Sequence, residues 1–151
     1  MISKEALKED LKAAMKAGDS VRVGVLRMAL AALLVKEKEG ASGAGVSSEV
    51  IQAVIATEAK KRRESAEVFE KGGRPELAEK EKQELAVLLT YLPAQLSEQE
   101  VMELAKEAIA KSGAKTPQDI GKVMALLAPQ TRGKADGALV NTIVKGLLPD
   151  R

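Results

Sequence analysis

The chain has 151 residues, of which 45% are hydrophobic and 30% charged, so it has enough apolar surface for one or two small packed domains. It contains no His and no Cys, which excludes histidine bases, thiol nucleophiles, disulfides and the usual zinc ligand sets. Phe69 and Tyr91 are the whole aromatic complement, so any contact with RNA is expected to be with its backbone rather than by base stacking.

The N-terminal sequence leads directly into a predicted amphipathic helix, without the basic and apolar regions of a signal peptide. The most apolar run, Val23 to Val35, carries Arg27 and is shorter than the ~20 residues that span a bilayer. We therefore expect a soluble, cytoplasmic protein with no membrane association.

The first two helices are predicted to begin at Ser3 and Asp19, two residue types that cap helix N-termini. The second runs to about Glu39, and we expect it to be the most buried helix of the chain. Its wide apolar face consists of Val21, Val25, Leu26, Leu30, Leu33 and Leu34. Arg27 lies in this otherwise apolar helix, so it is expected to have a buried or half-buried partner such as Glu58.

The third and fourth helices are predicted to form an antiparallel hairpin. A glycine-rich connector at 40–45, expected to be flexible, precedes the third helix, which begins at Ser47. Residues 72–75 end this helix and begin the next, because Pro75 suits a first helical turn. The basic run 60–63 fans around more than one turn, so we interpret it mainly as a solvated surface, with Arg62 or Arg63 as minor contact candidates.

Three further helices are predicted after a domain boundary at Leu92-Pro93. Ser97 and Glu100 form a capping box at the start of the fifth helix. A short sixth helix follows Thr116-Pro117 and is expected to end before Pro129, and Asp136 caps the seventh. No segment alternates with a period of two. The prediction is an all-α fold with a four-helix bundle at 1–92 and a three-helix bundle at 93–151.

Positive charge gathers near the C-terminus, although the net charge of the chain is only +2. Residues 111–151 hold seven basic against three acidic residues. The segment 133–141 places a lysine at a turn beside a helix N-terminus, where backbone N–H groups favour an anion. The candidate phosphate-binding residues are Lys115, Lys122, Arg132, Lys134 and Lys145. The alternative interpretation is an ordinary solvated surface.

Catalytic machinery is not visible in the sequence. The hydroxyl residues Ser65, Thr90, Ser97 and Thr131 have no recognisable base beside them. The glycine-rich run at 40–45 follows a helix and lacks the Gly-Lys-Ser/Thr ending of a nucleotide loop. We therefore predict no catalytic, cofactor-binding or metal-binding residues.

The whole chain resembles the GatB/YqeY family, specifically its stand-alone YqeY-like proteins. The matching stretches are Leu26-Arg27-Met28 with Leu30-Ala31-Ala32, 58–65, 69–74, 77–81, 91–97, 121–124 and 133–137. The resemblance implies a four-helix bundle joined to a three-helix bundle. It also implies kinship between 96–151 and the C-terminal tail of the GatB subunit of the aspartyl/glutamyl-tRNA amidotransferase, which is regarded as a tRNA-binding element.

The local positive charge near the C-terminus and the resemblance together lead to three functional hypotheses of different classes. The first is a non-catalytic module that binds tRNA or associates with the tRNA machinery. The second is an adaptor that docks an amidotransferase subunit or an aminoacyl-tRNA synthetase. The third is a carbon–nitrogen ligase with glutamine as amido donor, which we rank last because the amidotransferase chemistry belongs to a separate domain and a partner subunit.

Overall fold

The computed structural model describes residues 2–40 and 45–149. This part of the chain has seven α-helices and no strand, so the predicted all-α class is confirmed. The helices are α1 (Lys4–Ala17), α2 (Ser20–Glu39), α3 (Ser48–Lys71), α4 (Pro75–Leu89), α5 (Glu98–Ser112), α6 (Ile120–Thr131) and α7 (Gly137–Leu147). The predicted flexible connector falls largely on 41–44, outside the described residues. The chain divides into two compact units, Met1–Leu92 and Pro93–Arg151.

Local sequence signals account for most helix ends. The Ser3 hydroxyl accepts the Ala6 N–H at 3.1 Å, which caps α1. At α5, Ser97 Oγ accepts the Glu100 N–H at 3.1 Å, and the Ser97 N–H donates back to the Glu100 carboxylate at 3.4 Å. Gly113 ends this helix with φ 72°, a conformation that favours glycine. The predicted caps at Ser3 and Ser97 are confirmed.

The first unit is built from two helix pairs. Helix α1 packs against α2, α3 packs against α4, and α2 contacts both members of the second pair. The buried core contains Leu7, Val25, Leu26, Leu33, Ile51, Val54, Ile55, Ala59 and Leu88. More buried residues come from α3 than from α2, so the prediction that α2 is the most buried helix is wrong. Leu34, predicted on its core face, is 47% exposed because it is rotated about 100° from the buried Leu33.

The side chain of Tyr91, just beyond α4, forms hydrogen bonds with two other helices of the first unit. Its hydroxyl donates to the Asp10 carboxylate at 2.6 Å and accepts from the Arg22 guanidinium at 3.1 Å. The same guanidinium lies 5.7 Å from the centre of the Tyr91 ring. Burial, assisted by the hydrogen bond to Asp10, raises the pKa of the Tyr91 hydroxyl to about 12. The network ties the end of the α4 segment to α1 and α2.

In the second unit, α5 contacts both α6 and α7, which also contact each other. Its buried core contains Val101, Ala105, Ala108, Val123, Leu127, Val140, Ile143, Val144 and Leu148. A 3₁₀ turn at Pro117–Asp119 precedes α6, which continues to Thr131. The predicted end before Pro129 is therefore wrong. The helix continues past the proline, whose fixed φ is compatible with a helix, and later donors satisfy its last carbonyls: Arg132 N–H bonds Ala128 O at 2.9 Å, and Thr131 Oγ1 bonds Leu127 O at 3.3 Å.

Candidate nucleic-acid interface

The turn between α6 and α7 is held by the segment that precedes α5. The Leu96 N–H donates to the Lys134 carbonyl at 2.8 Å, and the Gln95 side-chain amide donates to the Gly133 carbonyl at 2.9 Å. Within the turn, the Lys134 N–H donates to the Thr131 carbonyl at 2.8 Å. Gly133 has φ 75°, a left-handed conformation that any other residue adopts with strain. The backbone that carries the candidate cations is thus fixed by hydrogen bonds.

This fixed turn presents two exposed cations. Arg132 follows the last residue of α6 and Lys134 follows Gly133, and both side chains are exposed. Neither forms an ion pair with another described residue, and the same holds for the exposed Lys115 and Lys145. Positive charges without protein partners are available to phosphate oxygens.

The five predicted residues are distributed rather than clustered. Lys122 is near the start of α6 and Arg132 is just past its end, ten residues away, which corresponds to ~15 Å along the helix axis. Lys145 lies in the last turn of α7, at the other end of that helix from Lys134. No single phosphate is reached by all five, and an extended polyanion is the ligand that this spacing suits.

Lys122 has an acidic neighbour within the same segment. Its ammonium lies 3.9 Å from the Asp119 carboxylate. That carboxylate also accepts the backbone N–H groups of Lys115 at 2.9 Å and Thr116 at 3.3 Å. These two hydrogen bonds, together with the charge of Lys122, lower the pKa of Asp119 below its usual value. Asp119 therefore offsets part of the positive charge at this end of α6.

The side-chain carboxylate of Asp136 already occupies the N-terminus of α7. The Asp136 carboxylate accepts the Ala138 N–H at 3.1 Å and caps the helix. A negative side chain at this position competes with a phosphate for the helix dipole. The local geometry thus favours contacts through the Arg132 and Lys134 side chains over a phosphate seated on the helix end.

A second charged site, in the first unit, was not predicted from the sequence. Arg62 is only 6% exposed, so interpreting the 60–63 run as a solvated surface is wrong for this residue. Its guanidinium lies 3.6 Å from Glu58 on α3 and 3.4 Å and 3.8 Å from Glu84 and Glu81 on α4. Its Nη2 donates to the Met28 sulfur at 3.2 Å. Arg62 lies in the α3–α4 interface because it follows Ala59 on the buried face of α3.

The partner predicted for Arg27 is also corrected. Arg27 is exposed on α2, while the Glu58 carboxylate faces Arg62 and lies 3.5 Å from the ammonium of Lys61. Arg27 sits on the side of α2 opposite to its core residues, so its charge stays in water and needs no buried partner. The signal for Arg62 was present in the sequence, since it shares a helical stripe with Ile51, Ile55 and Ala66.

The Arg62 cluster opens onto a groove of about 600 Å³ between α3 and α4. Apolar side chains of Met28, Val68 and Phe69 line it together with charged groups of both signs.

Across residues 2–40 and 45–149, no group of three or more Asp or Glu is placed to hold a metal ion. In the same residues, the helices are all too short or too polar to cross a bilayer.

Comparison with known proteins places this sequence in one family. No curated protein matches it. The family model described as Yqey-like protein matches residues 4–148, which is almost the entire chain and includes all seven helices. This protein therefore belongs to the YqeY-like family.

Proposed function

We propose that the second unit binds tRNA through its sugar–phosphate backbone, with Arg132 and Lys134 as the principal contacts. Lys115, Lys122 and Lys145 extend the contact along α6 and α7. The observation that carries this proposal is the hydrogen-bonded turn with two exposed cations that have no partner among the described residues. The resemblance of residues 96–151 to the tRNA-binding tail of the amidotransferase GatB subunit supports the same ligand.

The proposal is a recognition function without catalysis. The hydroxyl groups of Ser97, Thr90 and Thr131 are engaged with backbone atoms, as caps or as bonds to preceding carbonyls. This supports a structural role for them over a nucleophilic one. Glutamine-dependent product formation by the isolated chain would contradict the proposal, and its absence under conditions that support tRNA binding is the expected result.

A tRNA titration across salt concentrations tests the binding proposal. Each phosphate contact contributes about 0.7 to 0.9 to the slope of log affinity against log salt concentration. Changing Lys122, Arg132 and Lys134 together to Ala should lower the affinity and reduce this slope by about 2 to 3. Labelled tRNA and fluorescence anisotropy give both quantities.

A matched variant separates local contact from general charge. Lys8, Lys12 and Lys16 are exposed on α1, and changing all three to Ala removes the same formal charge. The expected result is a slope close to that of the unmodified protein. The proposal fails if tRNA does not bind at low salt, or if the two triple variants behave alike.

The second candidate function is an adaptor that docks an aminoacyl-tRNA synthetase or an amidotransferase subunit. It is favoured by apolar side chains that stay exposed on α2, among them Met28 and Val35. Association with such a protein that survives nuclease treatment, combined with a flat salt dependence for tRNA, would favour the adaptor over the RNA-binding module.

A further inference from the structure

Helix α2 is apolar on two opposite sides. One side packs into the core of the first unit through residues such as Leu26 and Leu33. The other side, here called the α2 outer face, consists of Gly24, Met28, Ala31, Leu34 and Val35. Met28, Leu34 and Val35 are 46%, 47% and 56% exposed. These positions fall within about 120° of one another around the helix, so they form a continuous stripe.

A helix that is apolar all round is typical of a position buried on every side. Single exposed apolar residues are ordinary on protein surfaces, but a stripe that follows one helix for three turns is a feature of interaction sites. The stripe also contains Gly24 in the helix interior, where glycine is destabilising. A Cβ atom at Gly24 would meet nothing within 4 Å, so packing within this chain does not require glycine there.

The outer face carries a cation near each end. Arg27 and Lys38 lie eleven residues apart, ~16 Å along the axis and on the same side of the helix. Neither forms an ion pair with a described residue. The nearby carboxylates are engaged: Glu37 lies 2.7 Å from the ammonium of Lys4, and Glu39 lies 3.5 Å from that of Lys36. The face therefore combines an apolar centre with uncompensated positive charge at both ends.

We infer that the α2 outer face docks an amphipathic helix of a partner protein, with a matching apolar stripe and an acidic residue toward each end. Opposite charges at this spacing set the register, and the apolar stripe supplies the buried area. Gly24 and Ala31 let the backbone of the incoming helix approach closely. This inference is independent of RNA binding, since α2 belongs to the first unit and the candidate phosphate contacts belong to the second.

The residues of the α2 outer face also disfavour two other occupants, a second copy of this chain and a bilayer surface. In a dimer of this chain through α2, an antiparallel pairing would place Arg27 opposite Lys38 of the second copy, and a parallel pairing would place like residues together. Both arrangements are repulsive. A bilayer surface is disfavoured because the face has no aromatic residue to anchor at the headgroups and has small residues at its centre.

Designed peptides test the inference with the full-length chain. The probe is a labelled helical peptide of about 18 residues, with Leu and Ala on one face and two Glu eleven positions apart on that face. The comparison peptide has Lys in place of both Glu. Fluorescence anisotropy should show that the Glu peptide binds about tenfold more tightly, as expected for two exposed ion pairs.

A charge swap on the protein completes the test. In the double variant Arg27→Glu, Lys38→Glu the preference should reverse in favour of the Lys peptide. The control Lys8→Glu, Lys106→Glu changes two exposed cations that are not part of the face and makes the same change in net charge, so it should keep the original preference. All four altered side chains are exposed, so the variants should keep their fold.

Several results would overturn the inference. These are failure of the Glu peptide to bind, equal binding of the two peptides, no reversal in the charge-swapped variant, or an equal effect of the control. Dimerisation that is abolished by Leu34→Glu would assign the face to a second copy. Binding to phosphatidylserine vesicles that the charge swap abolishes would assign it to a membrane.

Discussion

Removal of the Arg62 charge should destabilise the first unit strongly. The substitution Arg62→Met leaves Glu58, Glu81 and Glu84 around a site that has lost its central cation. At the observed separations of 3.4 to 3.8 Å, each pair attracts with about 4 to 5 kcal/mol at an effective dielectric constant near 20. The gross attraction exceeds the net contribution, because burial of the guanidinium also incurs a desolvation penalty.

Removing one partner from a buried ion pair costs about 3 to 5 kcal/mol. We expect a value of about 3 kcal/mol here, because Glu81 and Glu84 keep 21% and 17% of their side-chain surface exposed and recover some solvation. For a unit of this size, such a loss corresponds to a decrease in Tm of about 15 °C. Tyr91 is the only tyrosine of the chain and lies in the first unit, so tyrosine fluorescence during urea and thermal unfolding reports on this unit.

Two further variants make the Arg62 prediction specific. Lys61→Met removes the same charge from the adjacent residue, whose side chain is 64% exposed, and should change the free energy of unfolding by less than about 0.5 kcal/mol. Adding Glu58→Gln and Glu84→Gln to Arg62→Met removes two of the carboxylates that have lost the guanidinium and should restore part of the stability. If the free energy of unfolding of Arg62→Met lies within about 1 kcal/mol of that of the unmodified protein, the cluster is not the electrostatic element described above.

Three further substitutions test other parts of the structure. The pKa of Tyr91 is raised from 10.0 to about 12, so its contribution to the free energy of unfolding is complete below pH 10 and is lost between pH 10 and 12. Tyr91→Phe should therefore reduce this alkaline fall in the free energy of unfolding measured with urea. An unchanged pH profile would contradict the assignment. Asp119→Asn should increase tRNA affinity a few-fold in anisotropy titrations by removing the carboxylate beside Lys122, and equal or weaker binding would argue against Lys122 as a contact. Gly133→Ala should destabilise the second unit by about 1 kcal/mol in circular-dichroism unfolding, since its φ of 75° strains a residue with a Cβ, and a neutral result would show that the turn relaxes.

The helices were predictable because their ends are encoded over three or four residues. Ser97 with Glu100 is sufficient to start α5, whatever α5 packs against. Pro129 was misleading for the opposite reason. A proline usually ends a helix, but here the next donors still reach the carbonyls of Leu127 and Ala128, and three more residues, 129–131, are helical.

The burial of charged residues was harder to predict, since it depends on contacts between distant helices. Arg62 meets Glu81 and Glu84 only when α3 and α4 pack together. The run 60–63 looks uniformly basic along the chain, yet each residue points in a different direction once it is helical. Assigning each residue to one side of its helix would have distinguished the buried Arg62 from the exposed Lys61, and the exposed Arg27 from the buried face of α2.

The candidate RNA site was also predictable only in part, because some of its features are local in the sequence and others depend on distant residues. The cap at Asp136 and the glycine at position 133 are visible in the sequence, and alone they indicate an anion-binding helix end. The contact that changes this interpretation comes from Gln95 and Leu96, almost 40 residues earlier, whose hydrogen bonds fix the turn. Since Asp136 occupies the helix end with its own carboxylate, the proposed recognition of phosphate relies on the side chains that the turn projects. We therefore propose Arg132 and Lys134 as the principal contacts, because the hydrogen-bonded turn carries both charges and no described residue forms an ion pair with either.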